Sequence, residues 1–431
     1  MLAALPTPAT TTFASTSSSP RSARWCSLTT SDTTPAPDIA AIQKALAAGD
    51  AAGALGGWLF YDFRGLDPIS LRILHFPAGQ IATRRWFYFT PTAGEPVKIC
   101  HRIEADALEH LPGRRLLYSG WKELGAHLQD LLKGAGRIVM QYSPRNAIPY
   151  VSRVDAGTYE MIRACGVDVA TSADLVQTFE AVMTESQVAS HYDAAKMLRQ
   201  AVDLTFAEVR RRVAGGAATT EYDIQCFLMD LFTSQGFIAD HPPIVAVNQH
   251  AGQPHYLPGA RGSSPIRRGD LLLIDIWAKK NVDEAIYADI TWTAFVDSKV
   301  PDRHREIFEV VRGGRDAAVR YVQEAIAAGR PVKGWEVDDA AREFIASRGY
   351  GEQFTHRTGH NLGYEVHGNG AHLDHLETID ERRIIPRTAF TIEPGVYLPE
   401  FGIRSEINLY VRGKEAVITG PPIQTELAPL L

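Results

Sequence analysis

The chain is 431 residues long, more than one ordinary core organises at roughly 150 residues per domain, which excludes a single small module. Forty-four basic side chains stand against fifty acidic ones, and the net charge of −6 provides no positive field for a polyanion, so nucleic acid is not an expected partner. With 45% apolar and 22% charged residues the composition is that of a folded globular chain, and no run reaches the roughly 18 uncharged apolar residues of a membrane span.

Residues 1–37 contain 21 Ser, Thr or Pro and one acid, Asp32, a composition that cannot bury a core and predicts a disordered leader. MLAALP has no positive charge ahead of its short apolar part, which argues against a secretory signal, and Arg21 and Arg24 are few for an organellar transit peptide. Cys26, Cys100, Cys165 and Cys226 form no CxxC pattern and read as reduced thiols of a cytoplasmic protein. An α/β domain is expected over residues 38–183. DIAAIQKALAAGD has helical spacing, and GGWLFYDF, RRWFYFTP, EPVKIC, RRLLYSG and GRIVMQY read as strands between turn residues. Helices are predicted at ADALEHL and WKELGAHLQDLLKGA.

A second domain is expected over residues 184–431. Thr184 and Gln187 fit a capping box opening a long amphipathic helix that Gly215 and Gly216 stop. TEYDIQCFLMDLFTSQG reads as a helix, then PPIVAVN, DLLLIDIWAK and AIYADITWTAFV as strands. DRHREIFEVVRGGRDAAVRYVQEAIAAG and WEVDDAAREFIASRG are helical, and AFTIEPGVYLP, IRSEINLYVRG and EAVITG close the chain as strands. Antiparallel strands alternating with helix pairs make the fold class α+β.

Within these strands stand acids that strand propensity disfavours: Asp275 in LLLIDIW, Asp289 in ADITW, Glu393 before a Pro-Gly turn and Glu406 in GIRSEINL. Any one of them alone reads as solvent-facing or salt-bridged. Alternation puts Asp275 on one face with Leu273 and Trp277, and Asp289 on one face with Tyr287 and Thr291; a hairpin would bring both acids to one side. Four carboxylates in one core repel each other unless cations compensate, so one or two divalent ions are expected. A nitrogen ligand should lie in HRTGHNLGYEVHG, which holds His356, His360 and His367, with His255 in GQPHYLPG as a further candidate. Gly359 and Gly363 favour a loop or strand there over a helix.

These residues resemble the pita-bread metallopeptidases, the family of methionine aminopeptidase, prolidase, Xaa-Pro aminopeptidase and the metal-free creatinase. That family's ligands run Asp, Asp, His, Glu, Glu, matched here by Asp275, Asp289, His360, Glu393 and Glu406. WLFYDFRGLDP is similar, more weakly, to the creatinase-type amino-terminal domain. The resemblance implies a carboxy-terminal pita-bread domain preceded by a smaller α/β domain. It implies two divalent metal ions, manganese ahead of cobalt, zinc or iron, with Asp289 and Glu406 as bridges, Asp275 on one ion and His360 with Glu393 on the other. Glu393 would also move a proton, His255 and His367 would steady the intermediate or shuttle protons, and His356 and Arg404 would line the substrate pocket. The implied activity is release of the first residue from short peptides with proline second, by a homodimer. The alternatives are hydrolysis of another small amide or C–N bond, or an inactive peptide-binding relative; five intact ligands disfavour the latter.

The chain departs from the family at Trp277, where Gly is usual, at Trp292, where Arg is usual, and at Asn361, where Gly is usual. The tryptophans are expected to reshape one pocket wall. No arginine follows His367 before Arg382, which points away from a strict dipeptidase.

Overall fold

Alternation of large apolar side chains lets the amino-terminal strands bury both faces. The computed structural model describes residues 37–49, 53–77, 79–80 and 82–431; most of the Ser-, Thr- and Pro-rich leader, with Cys26, lies outside them. Strands β1 (Gly57–Asp62), β2 (Trp86–Pro91), β3 (Val97–His101), β4 (Arg114–Tyr118), β5 (Arg137–Met140) and β6 (Asp168–Thr171) form one sheet in the order β4-β3-β2-β1-β5-β6. Trp58, Phe60, Trp86 and Tyr88 point to one face, where α1 (Ile39–Ala47), α2 (Pro68–Ile73) and α5 (Ala173–Glu180) cover them. Leu59, Tyr61, Phe87 and Phe89 point to the other, beneath α3 (Trp121–Leu132) and α4 (Ala156–Arg163).

ADALEHL does not form the expected helix. Arg102–Glu104 makes one 3-10 turn and the chain continues as turns to residue 110. Pro112 disfavours helical geometry at the residue before it, and Lys98 Nζ draws the Leu108 and Leu111 carbonyls onto itself at 3.2 and 2.6 Å.

The long helix α6 (Glu185–Ala214) opens on the expected box: the Thr184 hydroxyl accepts from Gln187 N–H at 3.3 Å, and Gln187 Oε1 accepts from Thr184 N–H at 2.7 Å. After α7 (Glu221–Ser234) come β7 (Phe237–Ile238), β8 (Ile244–Val247), β9 (Leu271–Lys280) and β10 (Ala288–Phe295), then α8 (Asp302–Ala327) and α9 (Gly334–Ser347). Gly313 in α8 lets the two helices cross closely, since a Cβ there would lie 2.2 Å from the Phe344 ring. The chain closes with β11 (Asn361–Leu362), β12 (Ala389–Ile392), β13 (Gly395–Tyr397), β14 (Gly402–Arg404), β15 (Ile407–Arg412), β16 (Glu415–Thr419) and β17 (Ala428–Pro429).

Two larger sheets build this half, β17-β10-β9-β7 with β8 beside β9, and β11-β12-β15-β16, with β13 and β14 paired as a small third. Helices α6 and α7 pack on the first through Ile274, Ile276 and Ile290, while α8 and α9 pack on the second through Phe390, Ile392 and Leu409. The sheets meet where Asp289 N–H donates to Asn408 Oδ1 at 3.0 Å. The amino-terminal layer docks through α5: Gln177 Oε1 accepts from Ala371 N–H at 2.7 Å and Glu180 Oε2 accepts from Asn369 Nδ2 at 3.0 Å. Among the described residues no helix is long and apolar enough to cross a membrane.

Candidate metal centre

The β9–β10 register sets Asp289 opposite Trp277 and Thr291 opposite Asp275, so all four side chains share the face turned away from α6. Glu406 stands between β14 and β15; its N–H donates to the Thr291 carbonyl at 3.2 Å and its Oε2 accepts from the Thr291 hydroxyl at 2.8 Å. Glu393 follows β12, fixed by its N–H on the Thr358 carbonyl at 2.7 Å. His360 precedes β11, and its N–H donates to Thr391 Oγ1 at 3.0 Å. Gly359 permits that approach, because a Cβ there would lie 2.1 Å from the Thr391 carbonyl oxygen.

Ligand atoms of Asp289, His360 and Glu406 all lie within 4.8 Å of one another. His360 Nε2 is 3.6 Å from Asp289 Oδ2 and 3.4 Å from Glu393 Oε1. Its Nδ1 is 3.3 Å from the Asn361 carbonyl, which can only accept, so the proton sits on Nδ1 and the Nε2 lone pair faces the carboxylates. Asp275 joins on the same strand face, with Oδ2 accepting from Arg404 Nη2 at 2.6 Å.

The residues present fit a cation. Asp275 Oδ1, Asp289 Oδ1 and Glu406 Oε1 are buried without a hydrogen-bond partner, an arrangement that costs several kcal/mol per ionised group unless positive charge takes up the oxygens. Burial, then repulsion from Asp275 and Glu393, pushes the Asp289 carboxyl well above its usual range, and burial with repulsion from Asp289 does the same to Glu406. Burial lifts Glu393 to about 7 against the pull of Arg404. Burial also holds His360 well below the usual imidazole range, leaving its lone pair free. Four carboxylates and one neutral imidazole are a donor set for divalent cations.

The sequence profile of metallopeptidase family M24 matches residues 189–413. The chain belongs to this family. A Xaa-Pro dipeptidase of Pyrococcus furiosus is 31% identical over 231 residues, 53% of this chain, and the chain spans 60% of that relative's length. A probable dipeptidase PepE of Mycobacterium bovis is 26% identical over 322 residues, 73% of this chain and 78% of that protein. The crystal structure of dipeptidase PepE from Mycobacterium ulcerans, 22% identical, superposes with a TM-score of 0.67 over 91% of this chain and 99% of that one, which establishes the α+β pita-bread fold.

The M24 centre opens into a cavity of about 520 Å³ whose wall includes His255, His356, His367 and Arg404. His367 packs edge-on to His360 with ring centroids 4.3 Å apart, and burial lowers its pKa to about 4. His255 is exposed on the wall. His356 Nε2 lies 2.7 Å from the Tyr397 hydroxyl, and Arg404 Nη1 donates to that hydroxyl at 2.8 Å. Arg404 therefore steers Asp275, and Tyr397, which sequence reasoning missed inside an apolar strand, ties His356 to Arg404.

Of the two tryptophan departures, one meets the expectation and one does not. Trp277 is on the cavity wall, its Nε1 donating to Asp240 Oδ1 at 2.7 Å. Trp292 is not: alternation turns it to α6, where the Arg199 guanidinium lies 4.0 Å from its ring. Asn361 is a fastener, accepting from Gly370 N–H at 2.8 Å and donating to the Ala389 carbonyl at 2.9 Å. It thereby pins the segment after His367 to β12. Asp240, Arg357 and Tyr150 also line the cavity without having been anticipated; Arg357 alone carried a signal, lying inside the histidine motif.

Proposed function

We propose that the protein is a two-cation exopeptidase that hydrolyses the first peptide bond of short peptides carrying proline in the second position. What carries the reading is the convergence of Asp275, Asp289, His360 and Glu393 on one cavity, with Glu406 grouped beside Asp289 and His360 and three carboxylate oxygens lacking a protein partner. The names of the relatives, Xaa-Pro dipeptidase and dipeptidase, support the substrate class. The five residues would hold the pair, manganese ahead of cobalt, zinc or iron. Bound there, the ions supply Lewis acidity, lowering the pKa of water toward neutrality and polarising the amide carbonyl.

The remaining work falls to the chain. Thr291 and Arg404 keep Glu406 and Asp275 aimed. Glu393 takes the proton of the attacking water and passes it to the leaving amine. His367, kept neutral by burial, offers a ring N–H to the developing oxyanion. His255, exposed on the wall, would steady the intermediate. Tyr150 brings the amino-terminal domain to the cavity, which favours short substrates. Family likeness supports a homodimer, and free Cys100, Cys165 and Cys226 support a cytoplasmic location.

Release of alanine from Ala-Pro, Ala-Pro-Ala and Ala-Ala-Ala after addition of Mn²⁺, Co²⁺ or Zn²⁺ tests this. Cleavage of a proline-containing peptide in preference to Ala-Ala-Ala is expected. Cleavage of none, with any cation, overturns the proposal.

A further inference from the structure

His367 stands in a stretch, residues 363–370, that forms neither helix nor strand and holds Gly363, Gly368 and Gly370, whose backbone is the freest of any residue. Its place on the cavity wall is therefore set by what grips the stretch on either side. From the metal-binding half, Lys279 Nζ donates to the Tyr364 carbonyl at 2.7 Å, and Gly368 N–H donates to the Asn361 carbonyl at 2.8 Å. A further grip comes from the amino-terminal layer and takes both flanks at once. Arg72, near the end of α2, places Nε 2.8 Å from Glu180 Oε2 and Nη1 3.0 Å from Glu365 Oε1. The same Glu180 oxygen accepts from Asn369 Nδ2 at 3.0 Å. Glu365 stands two residues before His367, and Asn369 two residues after it.

The two arms differ in strength. The Glu365 side chain is 56% exposed, so its ion pair is screened and weak. The Glu180 side chain is 3% exposed, and breaking a pair so far from water strands a charge, which fixes the geometry of its partners. Adhesion between the layers does not require this pair. Gln177, one turn earlier on α5, already fastens them with two uncharged bonds, from Ala371 N–H and to the Arg383 carbonyl. What the charged pair adds is a bracket around His367.

We propose that Arg72 and Glu180 are positioning residues that hold the His367 ring at the metal centre from outside the metal-binding half. Resting on the peptidase reading above, in which His367 donates to the developing oxyanion, this gives the amino-terminal layer a part in the reaction. An N–H donor misplaced by an ångström loses on the order of 10²-fold in rate, so the anchor matters although it touches no substrate.

The test uses the metal-loaded full chain. Arg72→Met combined with Glu180→Gln removes the pair together, strands no buried charge and keeps an acceptor for Asn369. For Ala-Pro, kcat should fall roughly 10-fold at unchanged KM and metal content. In a His367→Ala background the same two changes should alter kcat by less than about 2-fold, because both losses act through one group. Arg72→Lys, which keeps the charge and loses the fork, should cost less. Histidine ¹³Cε1 NMR of the zinc-loaded chain reads placement without turnover. The His367 resonance, assigned by its absence in His367→Ala, should shift in the double variant, while that of His191, buried between Tyr287 and Thr419, stays. A merely structural role would lower kcat alike in both backgrounds and move both resonances. Wild-type kcat in the double variant, a loss that persists in full without His367, or an unmoved His367 resonance overturns the inference. Should His191 move too, Arg72→Lys decides: a shift of His367 alone supports the anchor, and no shift overturns it. Should the His367 resonance alone move while no peptide is cleaved with any cation, the peptidase reading fails and the anchor stands.

Discussion

Deleting one hydroxyl isolates how the metal centre is held. Thr291 is fully buried on β10; its hydroxyl donates to Glu406 Oε2 at 2.8 Å and accepts from Arg404 Nε at 3.2 Å, while Arg404 holds Asp275 Oδ2 at 2.6 Å. Thr291→Val keeps shape and strand propensity and removes both bonds. A hydrogen bond to a charged group contributes about 1.5–3 kcal/mol, and losing a partner that orients a ligand weakens metal binding roughly 10- to 100-fold. At about 1.4 kcal/mol per tenfold the two figures agree, so the dissociation constant should rise about 30-fold. Thr293→Val is the matched control. Its hydroxyl, two residues along on the same face, donates to the Arg404 carbonyl at 3.0 Å and touches no carboxylate, so its loss should cost about 1 kcal/mol of stability and leave metal affinity alone. Competition titration against a chromophoric chelator measures both. Wild-type affinity in Thr291→Val, or an equal loss in Thr293→Val, would refute the reasoning.

In the metal-stripped protein, Glu406→Gln relieves repulsion within the buried acids and should raise the free energy of unfolding by about 1 kcal/mol, while in the metal-loaded protein it should abolish turnover; a lowered midpoint in calorimetry of the stripped protein would count against a strained cluster. His367→Ala should cut kcat roughly 10²- to 10³-fold with metal content unchanged, as measured by elemental analysis beside kinetics. His191, wholly buried between the Tyr287 carbonyl and the Thr419 hydroxyl, has its pKa lowered by burial from 6.5 to about 4. The neutral ring is then favoured in the native state, and the unfolded chain binds more protons between those values. That contribution is complete above the unfolded pKa and is lost as pH falls through the folded one, about 2 kcal/mol of it by pH 5. Urea unfolding at pH 7 and pH 5 should show a steeper loss in wild type than in His191→Gln, and identical slopes would contradict it.

The candidate ligands are legible in the sequence because acids amid apolar strand residues oppose local propensity; Asp275 and Asp289 lie within β9 and β10, whereas Glu393 and Glu406 sit in breaks of the expected strands, after β12 and between β14 and β15. Their order along the chain adds what no single motif carries. The residues that aim them are less legible. Arg404 is placed at the pocket by the family resemblance alone, Tyr397 in a short strand gives no pattern that separates an ion-pair network from a surface, and Tyr150 reaches the cavity from another layer, a contact that no periodicity encodes. Trp292 was misplaced because nearness in sequence to Asp289 stands in poorly for nearness in space when side chains alternate. Helices α4 and α5 have eight residues each, shorter than the window in which helical periodicity is readable.

The central claim is that this centre holds a pair of divalent cations on five side chains. Elemental analysis of the chain, reconstituted with Mn²⁺ and freed of unbound ions, tests it directly. Two equivalents per chain are predicted for the wild type, with Glu406→Gln retaining fewer; no bound ion in the wild type, or full retention in the variant, would contradict it.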